Sequence, residues 1–167
     1  MSGGFTHESQ AIQSVEWYTP PEIFTELGVA MFDLDPCSPG ADIVPWIPAR
    51  KHYTVRDNGF IQPWDGLVWL NPPYGNETGD WLRRLRDHGN GIALVFARTD
   101  TVWFHDVAKD ADLLCFLRGR VRFIASNGRR ADTPGCGSML IAFGAVAEKA
   151  VRRYENTSLG LCVRWER

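Results

Sequence analysis

With 167 residues, 44% of them hydrophobic and 23% charged, the chain is long enough for one domain with a real core and too short for two. No apolar stretch approaches the roughly 20 residues that span a bilayer. The start, MSGGFTHESQAIQSVEW, lacks the basic and apolar blocks of a signal peptide, so a cytoplasmic protein is expected. The net charge of −2 excludes an overall basic bias, so any hold on nucleic-acid phosphates must be local.

In chain order, residues 1–16 are polar and read as a flexible N-terminal segment ahead of one domain over 17–167. TPPEIFTELGV reads as a helix capped by Thr19, with prolines in its first turn and Ile23, Phe24 and Leu27 on one face. AMFDLDP is a short strand ending in acid-proline. CSPGADIVPWIPARKHYT is mostly irregular, with KHYTV a short strand, and RDNGFIQPW is a loop. LVWLN is a strand, and ETGDWLRRLRDHG is an amphipathic helix closed by His88-Gly89 with Trp81, Leu82 and Leu85 inward. GIALVFA is a continuous apolar strand of the kind buried on both faces. TVWFHDVAKD is a helix and DLLCFL another apolar strand. RVRFI and SMLIAFG read as a terminal antiparallel pair, and the tail from Ala147 to Arg167 as a short helix and an edge strand. Strands alternating with helices imply a single-domain, Rossmann-like α/β fold: a mostly parallel mixed sheet with a terminal antiparallel hairpin and helices on both faces.

Cys37, Cys115, Cys136 and Cys162 form neither a C-x-x-C pair nor a Cys/His cluster at zinc spacing, so neither disulfides nor a metal site is expected. The basic residues gather locally as Arg83-Arg84-Arg86, Arg118-Arg120-Arg122 and Arg129-Arg130. Each cluster alone is as well explained by a solvated surface.

The stretch VWLNPPYGN, residues 68–76, carries the chemistry. A buried strand stops on Asn71, Pro72, Pro73 and Tyr74, and ligands of open α/β sheets bind at the carboxyl ends of strands. An amino group on an aromatic ring is a poor nucleophile because its lone pair is delocalised. Two acceptors, one for each N–H, favour a pyramidal nitrogen that can attack. Asn71 can supply its side-chain oxygen and Pro72 its carbonyl, pre-aimed by the fixed φ of proline. Tyr74 offers a ring face to a flat base. Adenine N6, cytosine N4, an adenine in RNA and a glutamine amide would all satisfy the same two acceptors. Taken alone, the tetrad is also an ordinary strand-ending turn.

Seven short stretches stand in order along the chain: Trp17/Thr19/Pro20, Leu34/Asp35, Asp57/Asn58/Gly59, Trp64, Asn71 to Tyr74, Gly119/Arg120/Phe123 and Gly137/Ser138/Met139. Together they make the chain resemble the S-adenosylmethionine-dependent amino-methyltransferases, and more closely the phage-type DNA N6-adenine methyltransferase (Dam) family. The match runs from Trp17 to Gly144. The resemblance implies methyl transfer from S-adenosylmethionine to adenine N6 in double-stranded DNA, with the base flipped out. Asn71, Pro72, Pro73 and Tyr74 would be catalytic. Tyr18, Thr19, Pro20, Asp35, Pro36, Ser38 and Asp57 would line the cofactor. It also implies a phage- or prophage-encoded enzyme in a bacterial host cell, with a link to restriction-modification.

One departure stands out: Cys37-Ser38-Pro39-Gly40 replaces the glycine-rich turn of the wider superfamily, and it cannot approach a ligand as closely. Arg98 ends a strand on the expected active-site edge, Arg120 falls on a family position, and Arg129 and Arg130 sit in a polar loop. These four are the candidate DNA contacts. The chain has little room for a separate recognition domain, so specificity would come from loops such as 125–137 or from a second subunit, with a homodimer as one arrangement. A catalytically inactive DNA-binding or decoy module on the same fold is the rival reading, supported only by the altered turn.

Overall fold

The computed structural model describes residues 17–165; the segment 1–16 lies outside them. The frame is a seven-stranded mixed sheet in the order β3-β2-β4-β5-β8-β6-β9. Its strands are β2 (Phe32–Asp35), β3 (Ala49–His52), β4 (Val68–Leu70), β5 (Gly91–Phe96), β6 (Leu113–Leu117), β8 (Ser138–Phe143) and β9 (Gly160–Val163). Ladders β2–β3, β2–β4 and β4–β5 are parallel, while β8 is antiparallel to both β5 and β6, and β9 to β6. Two further short strands, β1 (Trp17–Tyr18) and β7 (Ile124–Ala125), pair antiparallel with each other.

The expected terminal hairpin of RVRFI with SMLIAFG does not form. Every residue of β8 is buried, and such a strand needs neighbours on both edges, so it inserts between β5 and β6. In the 120–124 stretch, exposed Arg120 and Arg122 alternate with buried Val121 and Phe123, a pattern that suits a surface ribbon. There Ala125 N–H donates to the Arg129 carbonyl and Ala131 N–H to that of Phe123. This makes a small hairpin of its own, attached to β1.

The helices follow the sequence periodicity closely. α1 (Pro21–Leu27) buries Ile23, Phe24 and Leu27. Its N-cap, however, is Pro20 with no side-chain cap, and the Thr19 hydroxyl, expected to cap it, is buried without a partner. α2 (Thr78–His88) buries Trp81, Leu82 and Leu85 and ends at Gly89 in the left-handed conformation, φ 75°. α3 (Val102–Val107) runs into a 3-10 turn at Ala108–Asp110. The tail forms α4 (Ala145–Val151), α5 (Arg153–Asn156) and the edge strand β9. No helix among the described residues is long and apolar enough to cross a membrane.

Two apolar clusters divide the strand residues alternately. Trp69, Ile92, Leu94, Leu140 and Ala142 join the side chains of α1, α4 and α5. Val68, Leu70, Ala93, Val95 and Ile141 join those of α2 and Val107 of α3. Period-two alternation is what strands buried on both faces require. From β2 the chain steps to β3 on one side and later to β4 on the other. The strand order therefore reverses between β2 and β4, and the crevice beyond their carboxyl ends is where open α/β sheets bind ligands. Asp35 ends β2 and Asn71 follows β4, so the topology brings the two stretches to one place.

Candidate active site

At the β4 end, the Asn71 side chain is held in one orientation: its Nδ2 donates to the Trp17 carbonyl at 2.7 Å. The amide oxygen is thereby turned away from that carbonyl, buried, and without a hydrogen-bond partner among the described residues. An orphaned buried acceptor is costly, on the order of 1–3 kcal/mol, unless a ligand completes it. The turn that follows is fixed by Thr78. Its hydroxyl donates to the Pro73 carbonyl at 2.7 Å and accepts from the Gly75 N–H at 3.0 Å.

Tyr74 stacks on Phe96, with ring centroids 4.3 Å apart and planes 25° off parallel, and meets Phe123 edge-on at 6.5 Å. Phe123 in turn meets Trp17 edge-on at 6.2 Å. The Tyr74 hydroxyl is buried and has no hydrogen-bond partner among the described residues. Burial, reinforced by the nearby Cys136, pushes its pKa above the ordinary phenol value. It remains a neutral O–H able to donate. A third orphan, the Ser138 hydroxyl, lies directly across the ladder from Phe96.

At the β2 end, Asp35 is 2% exposed. Burial raises its carboxyl pKa to about 7, against the opposing hydrogen bonds from the Cys37 N–H and the Ser38 side chain. The Cys37 N–H donates to Asp35 Oδ1 at 3.1 Å, and the Gly40 N–H donates to Ser38 Oγ at 3.0 Å. Ser38 Oγ also lies 2.8 Å from His52 Nδ1, which is itself 3.8 Å from Asp35 Oδ2. Burial lowers the His52 pKa, so the imidazole is neutral at pH 7. Burial also raises the Cys37 thiol, helped by Asp35 and Glu77, which excludes a ready thiolate there.

The expected residues are distributed unevenly around this crevice. Asn71, Pro72, Pro73 and Tyr74 follow the end of β4, and Asp35, Pro36 and Ser38 lie at and after the end of β2, while Thr19 is two residues beyond Trp17, whose carbonyl accepts from Asn71 Nδ2. Tyr18 is buried in the apolar core, and Pro20 begins α1. Asp57 is exposed and spends its carboxylate on the Thr54 N–H and hydroxyl, both at 2.8 Å, bonds that hold its pKa below the usual range. The Asp57-Asn58-Gly59 stretch therefore works as a turn. Asn58 takes φ 53°, and a Cβ on Gly59 would lie 2.1 Å from the Pro36 carbonyl oxygen. Only glycine lets this turn pack against the Asp35-to-Gly40 loop.

Among the arginines, Arg98 and Arg129 are exposed and Arg120 lines a surface cleft. Arg130 grips the Glu22 carboxylate with both terminal nitrogens, one contact at 2.8 Å, and donates to the Arg122 carbonyl at 3.1 Å. Sequence reasoning missed Trp17 as the residue orienting Asn71, Phe96 as the partner of Tyr74, and His52 beside Ser38. Phe96 ends an apolar run in which nothing distinguishes it from core. His52 follows charged Arg50 and Lys51 on an edge strand. No group of His, Cys, Asp and Glu among the described residues is arranged to hold a metal ion.

The described residues place a buried carboxylate at the end of β2 and, after β4, an amide oxygen with no partner among them, on either side of the reversal in strand order. The chain belongs to the DNA N-6-adenine-methyltransferase (Dam) family, whose family model matches residues 7–158. The resemblance read from the short matches is thereby borne out, and membership points to a DNA methyltransferase. Among curated proteins, none matches the sequence significantly.

Proposed function

We propose that the protein transfers a methyl group from S-adenosylmethionine to the N6 amine of adenine in double-stranded DNA, on a Rossmann-like fold with helices on both faces of the sheet. The observation that carries this reading is the Asn71 amide oxygen, buried, unpartnered and aimed by the bond from Nδ2 to the Trp17 carbonyl. Asn71 Oδ1 and the Pro72 carbonyl accept the two amine hydrogens and draw the nitrogen toward a pyramidal shape. The proton then leaves the alkylated nitrogen, which is acidic enough to need no strong base. Catalysis of this kind is orientation and preorganised polarity.

A cationic cofactor fits the buried Asp35 carboxylate, whose charge is otherwise uncompensated except by neutral donors. Asp35, Pro36, Ser38 and Thr19 would hold S-adenosylmethionine, which supplies an electrophilic methyl on a sulfonium. The adenine reaches the site by leaving the duplex, and Tyr74, backed by Phe96, forms the aromatic wall against which it rests.

Transfer of labelled methyl from S-adenosylmethionine to unmethylated duplex DNA, followed by nucleoside analysis, tests the reading. Label in N6-methyladenine, lost at least 100-fold in Asn71→Ala while the fold is kept, is the expected result. Label confined to cytosine, or equal activity in native protein and Asn71→Ala, refutes it.

A further inference from the structure

Beside the candidate site lies a cleft of about 370 Å³ lined by Arg118, Arg120, Arg122 and Arg130, with Glu22 and Glu26 among its other walls. The local sequence explains how so much positive charge gathers there. Arg118, Arg120 and Arg122 alternate with Gly119, buried Val121 and buried Phe123. Pinned inward at 121 and 123, the ribbon turns Arg120 and Arg122 to the same outer side, while the bend at Gly119, φ 79°, joins Arg118 to the cleft wall. Phe123 is the residue whose ring meets Tyr74 and Trp17, so the arginine row continues directly from the aromatic wall of the crevice.

These guanidinium groups differ from the others in their company. Arg83 is paired with Asp80 and Asp106, Arg86 with Asp87, and Arg152 with Glu148. Among the described residues, the side chains of Arg118, Arg120 and Arg122 have no carboxylate or hydrogen-bond partner. Arg130, the fourth, is engaged by Glu22 in a two-pronged contact. A carboxylate held in the guanidinium fork presents two oxygens much as a phosphate does. Three unpaired cations beside one that already grips an anion make a poor structural device and a good anion seat.

We propose that this cleft seats backbone phosphates of the nucleic-acid strand that carries the target base, and that Glu22 occupies Arg130 until a phosphate replaces it. The inference rests on the proposed function for the strand's identity and deepens it by placing the strand's path along Arg118, Arg120 and Arg122. Glu22 and Glu26 leave the cleft with a net positive charge, and the exchange at Arg130 makes binding depend on a competition the protein carries within itself.

Fluorescence anisotropy of a labelled duplex, measured at several salt concentrations, tests it. Each lost phosphate contact lowers the slope of log affinity against log salt by about 0.9. The triple variant Arg118→Gln/Arg120→Gln/Arg122→Gln is expected to flatten the slope by about 2.7 on that basis. Glu22→Gln is expected to bind several-fold more tightly with a steeper slope. Arg56→Gln, on the exposed turn at the other edge of the sheet, should match the native protein. All these side chains are exposed, and thermal melting confirms that each variant is folded. A native slope in the triple variant overturns the phosphate seat, and native affinity in Glu22→Gln overturns the exchange. If the native protein methylates DNA while the triple variant keeps the native slope, the seat falls and the proposed function stands. If it binds only RNA, with the slope flattened in the triple variant, the function falls and the seat stands. A native protein that binds neither removes both.

Discussion

The sharpest quantitative consequence of the structure concerns Asp35. Its carboxyl is 2% exposed and titrates near 7 in the folded protein, against an ordinary value of 3.8. A raised folded-state pKa means that ionisation opposes folding. The contribution is most favourable below pH 4, declines as pH rises to 7, and is constant above. About three pH units at ~1.4 kcal/mol each give ~4 kcal/mol as the order of the full loss. Asp35→Asn keeps an oxygen for the Cys37 N–H and removes the ionisation. Its stability relative to the native protein should therefore rise by ~1.4 kcal/mol per pH unit between pH 4 and 7, then level off. His52 works in the opposite direction. Its pKa is lowered by burial, so its contribution is present above the ordinary value of 6.5 and is lost as pH falls. The difference between variant and native isolates Asp35 from it, and repeating the pair in a His52→Asn background removes their coupling across 3.8 Å. Urea denaturation at pH 5, 6, 7 and 8 supplies the free energies. A variant-minus-native difference that stays flat across those four values refutes the reasoning.

Further outcomes follow from the same geometry. If Asp35 faces the cofactor's positive charge, the affinity for S-adenosylmethionine falls about tenfold for each pH unit below 7, while neutral S-adenosylhomocysteine shows a weaker dependence; isothermal titration at pH 5.5 to 8 distinguishes them. Gly59→Ala must displace the Pro36 carbonyl, which would otherwise lie 2.1 Å from the new Cβ. We expect more than ~2 kcal/mol of lost stability, read from chemical denaturation, and weaker cofactor binding because the Asp35-to-Gly40 loop moves. Trp69, with no exposure and packed against Phe24 at 4.7 Å between centroids, should cost ~3–5 kcal/mol as Trp69→Ala. Trp69→Phe should cost markedly less than Trp69→Ala, since both remove the indole N–H but the phenyl ring keeps much of the packing against Phe24 and Phe32. Equal losses in the two would refute this packing account.

The sequence made the strands and helices of the central sheet legible because their periodicities are strong. GIALVFA, DLLCFL and the face Trp81/Leu82/Leu85 all lie where the apolar pattern puts them. The Asn-Pro-Pro-Tyr stretch was legible for a different reason: directly after a buried strand it is a local arrangement with a local chemical meaning. What stayed hidden was long-range. Strand β8 reads identically as a hairpin partner of 120–124 or as the filling between β5 and β6, because alternation says nothing about which neighbours a strand takes. The Glu22–Arg130 pair joins residues 108 positions apart, and Asn71 is aimed by a carbonyl 54 positions upstream. Thr19 misled for a related reason. Its type suits an N-cap, but proline at the next position took that place and the hydroxyl turned inward.

The loop after β2 shows how a site can dispense with the glycine turn that its chemistry usually leans on. A glycine-rich turn offers bare backbone N–H groups to a ligand. Here two of those groups are already spent: the Cys37 N–H on the Asp35 carboxylate and the Gly40 N–H on the Ser38 hydroxyl. The loop thus turns its donors inward and uses them to steady a buried acid at the end of β2. That arrangement is poorly suited to a phosphate-bearing ligand, which would meet a carboxylate where it needs donors. It suits a ligand with positive charge, which would draw Asp35 into its ionised form and remove the penalty that burial imposes on it. With Asp57 committed to its own turn and Tyr18 to the core, the proposed recognition on this side of the crevice would rest on Asp35, on Ser38 beside His52, and on the Thr19 hydroxyl, which has no partner among the described residues. In the proposed reaction, the cationic cofactor and the acceptor-bound amine would meet beyond β2 and β4, the strands between which the sheet order reverses.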